Sequence, residues 1–203
     1  MNSLPKYDEN NLSKIYAGVG SRKTPIEVQI LMNKLAEFLD KKGYSLNSGN
    51  ALGADKAFQG AVQPWEKEES GKVTRWSTYQ YKPSRMNIFR ASDATDRCRE
   101  IAKQVHPNSN IKGYVLDLHA RNLLQVFGEN LDTPIDFLIC WTPLNKNGEV
   151  VTHHDQRDST TGGTGQAISY ASLRGIPVIN MIHEDWRNKL TFILRLNKNT
   201  QTK

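Results

Sequence analysis

Three short runs pair glycine with hydroxyl or amide residues directly after segments that read as strands. They are Gly18-Val19-Gly20-Ser21-Arg22, Ser48-Gly49-Asn50-Ala51-Leu52-Gly53-Ala54-Asp55 and Thr161-Gly162-Gly163-Thr164-Gly165-Gln166. The chemistry these residue types support is anion binding. Glycine lets the backbone approach a ligand closely, and a helix that starts there adds unpaired N–H groups and a partial positive charge. Ser21, Ser48, Thr161 and Thr164 bring hydroxyl donors, and Arg22 brings a permanently charged planar fork. A phosphate or phosphoribose is the guest this set suits. The predicted nucleotide-binding set is therefore Gly18, Gly20, Ser21, Arg22, Ser48, Gly49, Gly53, Ala54, Asp55, Thr161, Gly162, Gly163, Thr164, Gly165 and Gln166. Any one turn alone has a bland reading as a helix cap or tight turn, so the weight lies on all three together.

Other residues could add chemistry. Arg121 and Asn122, in His119-Ala120-Arg121-Asn122, could reach the ligand from a second side, although a solvated helix face explains them equally simply. Asp55 has an ordinary role as an N-terminal helix acid. His153-His154-Asp155 with Asp158 are metal-ligand types, but adjacent histidines diverge and no further ligand lies at a suitable spacing, so no metal site is expected. Trp76, Tyr79, Tyr81, Phe89 and Trp141 could stack on a base, with core packing the competing reading. Cys98 and Cys140 read as buried thiols.

These residues need a scaffold, and the pattern supplies one. Lys14 to Gly20, Tyr44 to Gly49, Val73 to Tyr79, Ile135 to Trp141 and Ile176 to Met181 read as strands. Helices are predicted over Ile26 to Lys42, with Thr24 as N-cap, Pro25 as first residue and Gly43 as stop, and over a short stretch through Ala57 and Val62. Further helices are predicted over Ser92 to Val105, over Tyr114 to Phe127 and, opened by the run Ser159 to Gly165, through Ala167, Ile168, Ala171 and Leu173 to a stop at Gly175. Gln63 to Gly71 and Asn145 to Asp158 read as loops. Alternating strands and helices predict an α/β, Rossmann-like, doubly wound and mainly parallel sheet with helices on both faces. In such a sheet all three glycine turns lie on the carboxyl edge, where ligands bind.

The chain of 203 residues, 37% hydrophobic and 24% charged, is sized for a single domain. Residues 14–195 are read as that domain, with a polar lead-in over 1–13 and a polar tail over 196–203. No signal-peptide core or membrane-length apolar run is seen, so a cytoplasmic protein with no membrane partner is expected. A net charge of +6 favours phosphate-bearing partners without showing a basic stripe.

Taken in order, Gly18-Val19-Gly20-Ser21-Arg22, Ser48-Gly49, Gly53-Ala54-Asp55-Lys56-Ala57-Phe58, and Gly162-Gly163-Thr164-Gly165 before Gly175-Ile176-Pro177-Val178-Ile179 resemble a known superfamily. It joins DNA-processing protein A (DprA/Smf) with the LOG phosphoribohydrolases (SLOG), and the likeness is closest to the compact DprA-like proteins of phage genomes. It covers Lys14 to Met181 apart from a middle of about Gln63 to Asn130. The resemblance implies a Rossmann-like nucleotide-binding fold assembled as a homo-oligomer, a dimer or higher. LOG enzymes cleave a nucleoside monophosphate with a Pro-Gly-Gly-x-Gly-Thr-x-x-Glu motif and an arginine. Here Thr161 replaces the proline, Gln166 the threonine and Ser169 the glutamate. Serine cannot stabilise an oxocarbenium-like transition state, so turnover is left open, with Asp55, Asp155 and Asp158 as substitute carboxylates.

The leading expectation is a site for a nucleotide or nucleotide-derived small molecule, with no cofactor, acting as sensor, sequestering protein or hydrolase. The alternatives are a DprA-like single-stranded DNA-binding protein in DNA processing or recombination, a LOG-like N-glycosidase, and a partner-binding Rossmann remnant.

Overall fold

The computed structural model describes residues 1, 3–61, 65–69, 72–76 and 80–199, with the backbone alone for 65–69, 72–76 and 197–199. In chain order the elements are β1 (Ile15–Gly18), α1 (Ile26–Lys41), β2 (Ser45–Ser48), α2 (Ala54–Phe58), β3 (Trp65–Glu69), β4 (Lys72–Trp76) and β5 (Met86–Ile88). They continue with α3 (Asp96–Val105), α4 (Gly113–Phe127), β6 (Phe137–Cys140), α5 (Gly162–Ser172), β7 (Val178–Asn180) and α6 (Trp186–Asn199). Five strands form a parallel sheet in the order β5-β2-β1-β6-β7. The α/β doubly wound expectation is therefore met.

Strand alternation builds two cores. In β6 all four residues are buried, as a central parallel strand covered on both faces requires. Phe137 and Ile139 join Tyr16, Leu46, Met32, Leu39, Phe58 and Trp186 under α1, α2 and α6. Leu138 and Cys140 point the other way, into a core with Leu123, Phe127, Ile168 and Tyr170 from α4 and α5. Helices α1 and α5 thus flank opposite faces. From β1 the chain winds towards β2, and from β6 towards β7, so the strand order switches direction between β1 and β6. In doubly wound sheets, ligands bind outside the carboxyl ends of the strands at such a switch.

Several local expectations change. Of Val73 to Tyr79, read as a third sheet strand, the described part lies in Lys72–Trp76, which pairs antiparallel with Trp65–Glu69 in a separate ribbon, and residues 77–79 lie outside the described set. The segment Gln63 to Gly71, read as a loop, supplies β3. Its register sets Glu66 opposite Arg75 and Glu69 opposite Lys72, which suits a charged run to a two-stranded ribbon. The sheet edge beside β2 is instead Met86–Ile88, whose partial exposure left no apolar signal. Thr24 does not cap α1: its hydroxyl donates to the Ser21 carbonyl at 2.6 Å, and Pro25 occupies the N-cap position. The helix expected from Ser92 starts at Asp96, because Thr95 accepts the Cys98 N–H and caps it there. The C-terminal segment is helical as far as Asn199, since Trp186, Leu190 and Ile193 recur at helical spacing against the core.

The end of β1 is tightly seated. A Cβ on Gly18 would lie 2.6 Å from Phe58 Cγ and 2.9 Å from Leu46 Cδ1. Gly18→Ala is therefore expected to cost about 1–3 kcal/mol through overpacking, read as a lower denaturation midpoint at unchanged slope.

Candidate functional site

The first two glycine turns interlock. Ser21 N–H donates to the Trp141 carbonyl at 3.0 Å, which ties the end of β1 to the end of β6. The Ser21 carbonyl accepts from Thr24 N–H at 3.2 Å and from Ala54 N–H at 3.4 Å. Gly53 has φ +80, and a Cβ there would meet the Ser21 carbonyl oxygen at 2.6 Å and Arg22 Cα at 2.8 Å. Only glycine allows this approach of the second turn onto the first. Ser48 is fully buried and its hydroxyl donates to the Gly18 carbonyl at 2.8 Å, so it braces the strand ends rather than facing outward. Arg22 is exposed beside them.

Behind these turns lies a buried ion pair. Asp55, at the start of α2, sits 3.6 Å from Arg121 Nη1, with the two side chains 4% and 8% exposed. Arg121 is therefore no solvated face residue: α4 carries it into the strand ends, where Nη1 also donates to the Phe89 carbonyl at 3.3 Å. Burial raises the Asp55 carboxyl to about 6, opposed by the Arg121 charge and by hydrogen bonds from the amides of Ala51, Gly20 and Gly49. Gly49 must lack a side chain, since a Cβ would fall 1.4 Å from Arg121 Nη1 and 2.4 Å from Asp55 Oδ2. The amides of Gly20 and Gly49, expected to face a guest, thus serve the protein's own carboxylate.

The third turn is different. Thr161 Oγ1 donates to the Asp158 carbonyl at 2.8 Å and does not cap α5. The N–H groups of Gly162, Gly163 and Thr164 have no protein partner among the described residues, while Gly165 N–H already bonds to Thr161 O. Asn122, next to Arg121 on α4, donates from Nδ2 to the Gly163 carbonyl at 2.9 Å and ties α4 to this turn. Arg121 Nε is buried without a partner, and Nη2 makes no hydrogen bond to the described residues. The Gln166 side chain points elsewhere: fully buried, its Nε2 donates to Tyr170 Oη at 2.7 Å and to the Ala102 carbonyl at 3.3 Å.

Ser169 is also fully buried and donates to the Gly165 carbonyl at 2.8 Å. Arg157, which the sequence did not single out, lies over it with Nη1 3.5 Å from Ser169 Oγ. Burial lowers the Arg157 guanidinium below its ordinary value, and it makes no salt bridge among the described residues. Position 169 therefore faces a cation. Asp158 accepts from the Lys146 and Thr160 amides and the Thr160 hydroxyl, and Asp155 pairs at the surface with His153 at 3.2 Å. Both carboxylates serve the local loop. Trp141 is partly buried against the α1–α6 core, and the Tyr81 hydroxyl is bound to Asp40. Phe89 packs into the other core, while the Trp76 side chain and Tyr79 fall outside the described residues. A cavity of about 480 Å³ lined by Gln104, Val105, His154 and Leu173 lies at the other end of α5 and touches none of these groups.

Removing Arg121 would strand a buried carboxylate, a change that typically costs about 3–5 kcal/mol. Arg121→Gln also lifts the Asp55 carboxyl further, because the cation that opposed burial is gone. Protonation then relieves the penalty as pH falls. Urea denaturation should show the variant far less stable than wild type at pH 8, and a clearly smaller gap at pH 5. An equal gap at both pH values would deny the pair its charge. No known protein family, curated protein or solved structure matches the chain, so the reading of its function stands on this geometry.

Proposed function

We propose that the chain binds a nucleotide or nucleotide-derived small molecule in the crevice between the carboxyl ends of β1 and β6, with the phosphate on the first turn of α5. The observation that carries this reading is the set of N–H groups at Gly162, Gly163 and Thr164 that have no partner among the described residues, beside α4, where Asn122 reaches the Gly163 carbonyl and the preceding residue, Arg121, keeps donors unused among those residues. Backbone amides at a helix start and a guanidinium are the donor types that a tetrahedral anion takes. The exposed Arg22 stands at the edge of the same crevice. The likeness of the turns to the DprA–LOG superfamily points in the same direction.

Within that reading, holding a ligand is favoured over cleaving it. Glycosidic hydrolysis requires a carboxylate free to stabilise positive charge or to activate water. At position 169 stands a buried serine beside Arg157, and Asp55 is engaged by Arg121 and backbone amides. The role that fits is a sensor or sequestering protein for a phosphorylated nucleotide.

Calorimetric titration with the common nucleoside 5′-monophosphates and with an oligodeoxynucleotide, at about 50 and 200 mM salt, tests this. The expected result is mononucleotide binding with a shallow salt response, weakened about tenfold or more by Asn122→Ala, and no release of free base. Binding of the oligonucleotide alone, falling steeply with salt, would replace this reading with the single-stranded DNA one. Binding of neither would end both.

A further inference from the structure

A site for anions has an unusual neighbour here: a carboxylate that already occupies part of the donor array. Asp55 receives hydrogen bonds from the amide of Gly20 in the first turn and those of Gly49 and Ala51 in the second, and it stands 3.6 Å from Arg121 Nη1 on α4. Nothing else titratable faces it among the groups that act on it. Neighbouring Gln59 donates from Nε2 to the Gly49 carbonyl, and Lys56 pairs with Asn50. Arg121 is thus divided between a resident anion on one side and, on the other, Nε and Nη2 groups that have no hydrogen-bond partner among the described residues.

We infer that Asp55 is a built-in competitor anion that regulates the site: its negative charge weakens the hold of Arg121 and the α5 amides on a guest anion, and neutralising it tightens that hold. The inference rests on the phosphate position proposed above. The physical basis is charge repulsion between Asp55 and a guest that shares the Arg121 guanidinium with it, in a water-poor setting where one unit charge is worth about an order of magnitude or more in affinity. The competitor is also adjustable, since burial raises the Asp55 carboxyl to about 6 and it therefore gains its proton in mildly acidic solution. Below that pH the carboxyl is neutral and the guest binds more tightly; above it the charge returns and the guest is loosened. By thermodynamic reciprocity, a bound anion must in turn raise the Asp55 pKa.

Sulfate is the probe, because its charge is constant over the pH range involved. Equilibrium dialysis of labelled sulfate between pH 8 and pH 5 should show wild-type affinity rising about tenfold. Asp55→Asn should bind at pH 8 as tightly as wild type does at pH 5, with most of the pH dependence gone, while Asp55→Glu keeps it. Histidine titration is common to all three proteins and cancels in the comparison. As a measurement needing no variant, the Asp55 carboxyl resonance of wild type should titrate at higher pH when sulfate is present. A purely bracing role for Asp55 would move stability but neither of these readouts. Equal pH profiles for wild type and Asp55→Asn, an Asp55 pKa unmoved by sulfate, or no sulfate binding at all would each overturn the inference. The nucleotide titrations are read separately. Mononucleotide binding that is blind to Asp55→Asn sinks this inference and spares the nucleotide reading, whereas sulfate behaviour as described with no nucleotide bound does the reverse.

Discussion

The carboxyl edge of this sheet is organised by one buried charge pair, Asp55 with Arg121. Taking two charges out of water is costly, and the cost is offset only where further hydrogen bonds satisfy the remaining lone pairs and protons. Much of the local architecture follows from that demand. Gly49 has to be glycine because the guanidinium occupies the space of its side chain, the ends of β1 and β2 turn so that their amides meet the carboxylate, and the Phe89 carbonyl takes a guanidinium proton. Asn122, one residue on from Arg121, makes a separate hydrogen bond to the first turn of α5. Elements far apart in the chain are thereby held at one crevice.

The arrangement divides the glycine turns into two kinds. Those after β1 and β2 are closed around a carboxylate of the protein itself, whereas the turn at α5 keeps N–H groups without a partner among the described residues. On the proposed function, a guest anion takes one side of Arg121 and Asp55 the other. The same distribution of charge speaks to reactivity: the helix position where a hydrolase of the resembling family would hold a glutamate is a serine in contact with Arg157. Such a site suits holding negative charge more than stabilising a cationic transition state.

How much of this was legible in the sequence depends on the range of the interaction. Strand, glycine turn and helix repeat locally, so β1, β2, β6, β7 and the helices between them could be read from apolar spacing, and with them the parallel sheet and its carboxyl edge. Short, half-exposed β5 carries little pattern, and the charged β3 reads as a loop until its cross-strand partner is known. Within the site, the glycine and hydroxyl residues were visible, but the direction of their hydrogen bonds was not. Whether Ser48 faces a ligand or the Gly18 carbonyl, and whether Gln166 points into the crevice or towards Ala102, is decided by packing between distant segments. The same holds for Arg121, which local spacing alone cannot separate from an ordinary surface arginine.

In the proposed site, the α5 amides left without a partner among the described residues and the Arg121 guanidinium meet a common phosphate. Amide and guanidinium NMR shifts followed during addition of a nucleoside 5′-monophosphate read this directly, residue by residue. The account predicts saturable shifts concentrated at Gly162, Gly163, Thr164, Asn122 and the Arg121 Nε–H. Saturable shifts clustered anywhere else on the molecule, with these resonances unmoved, would contradict it.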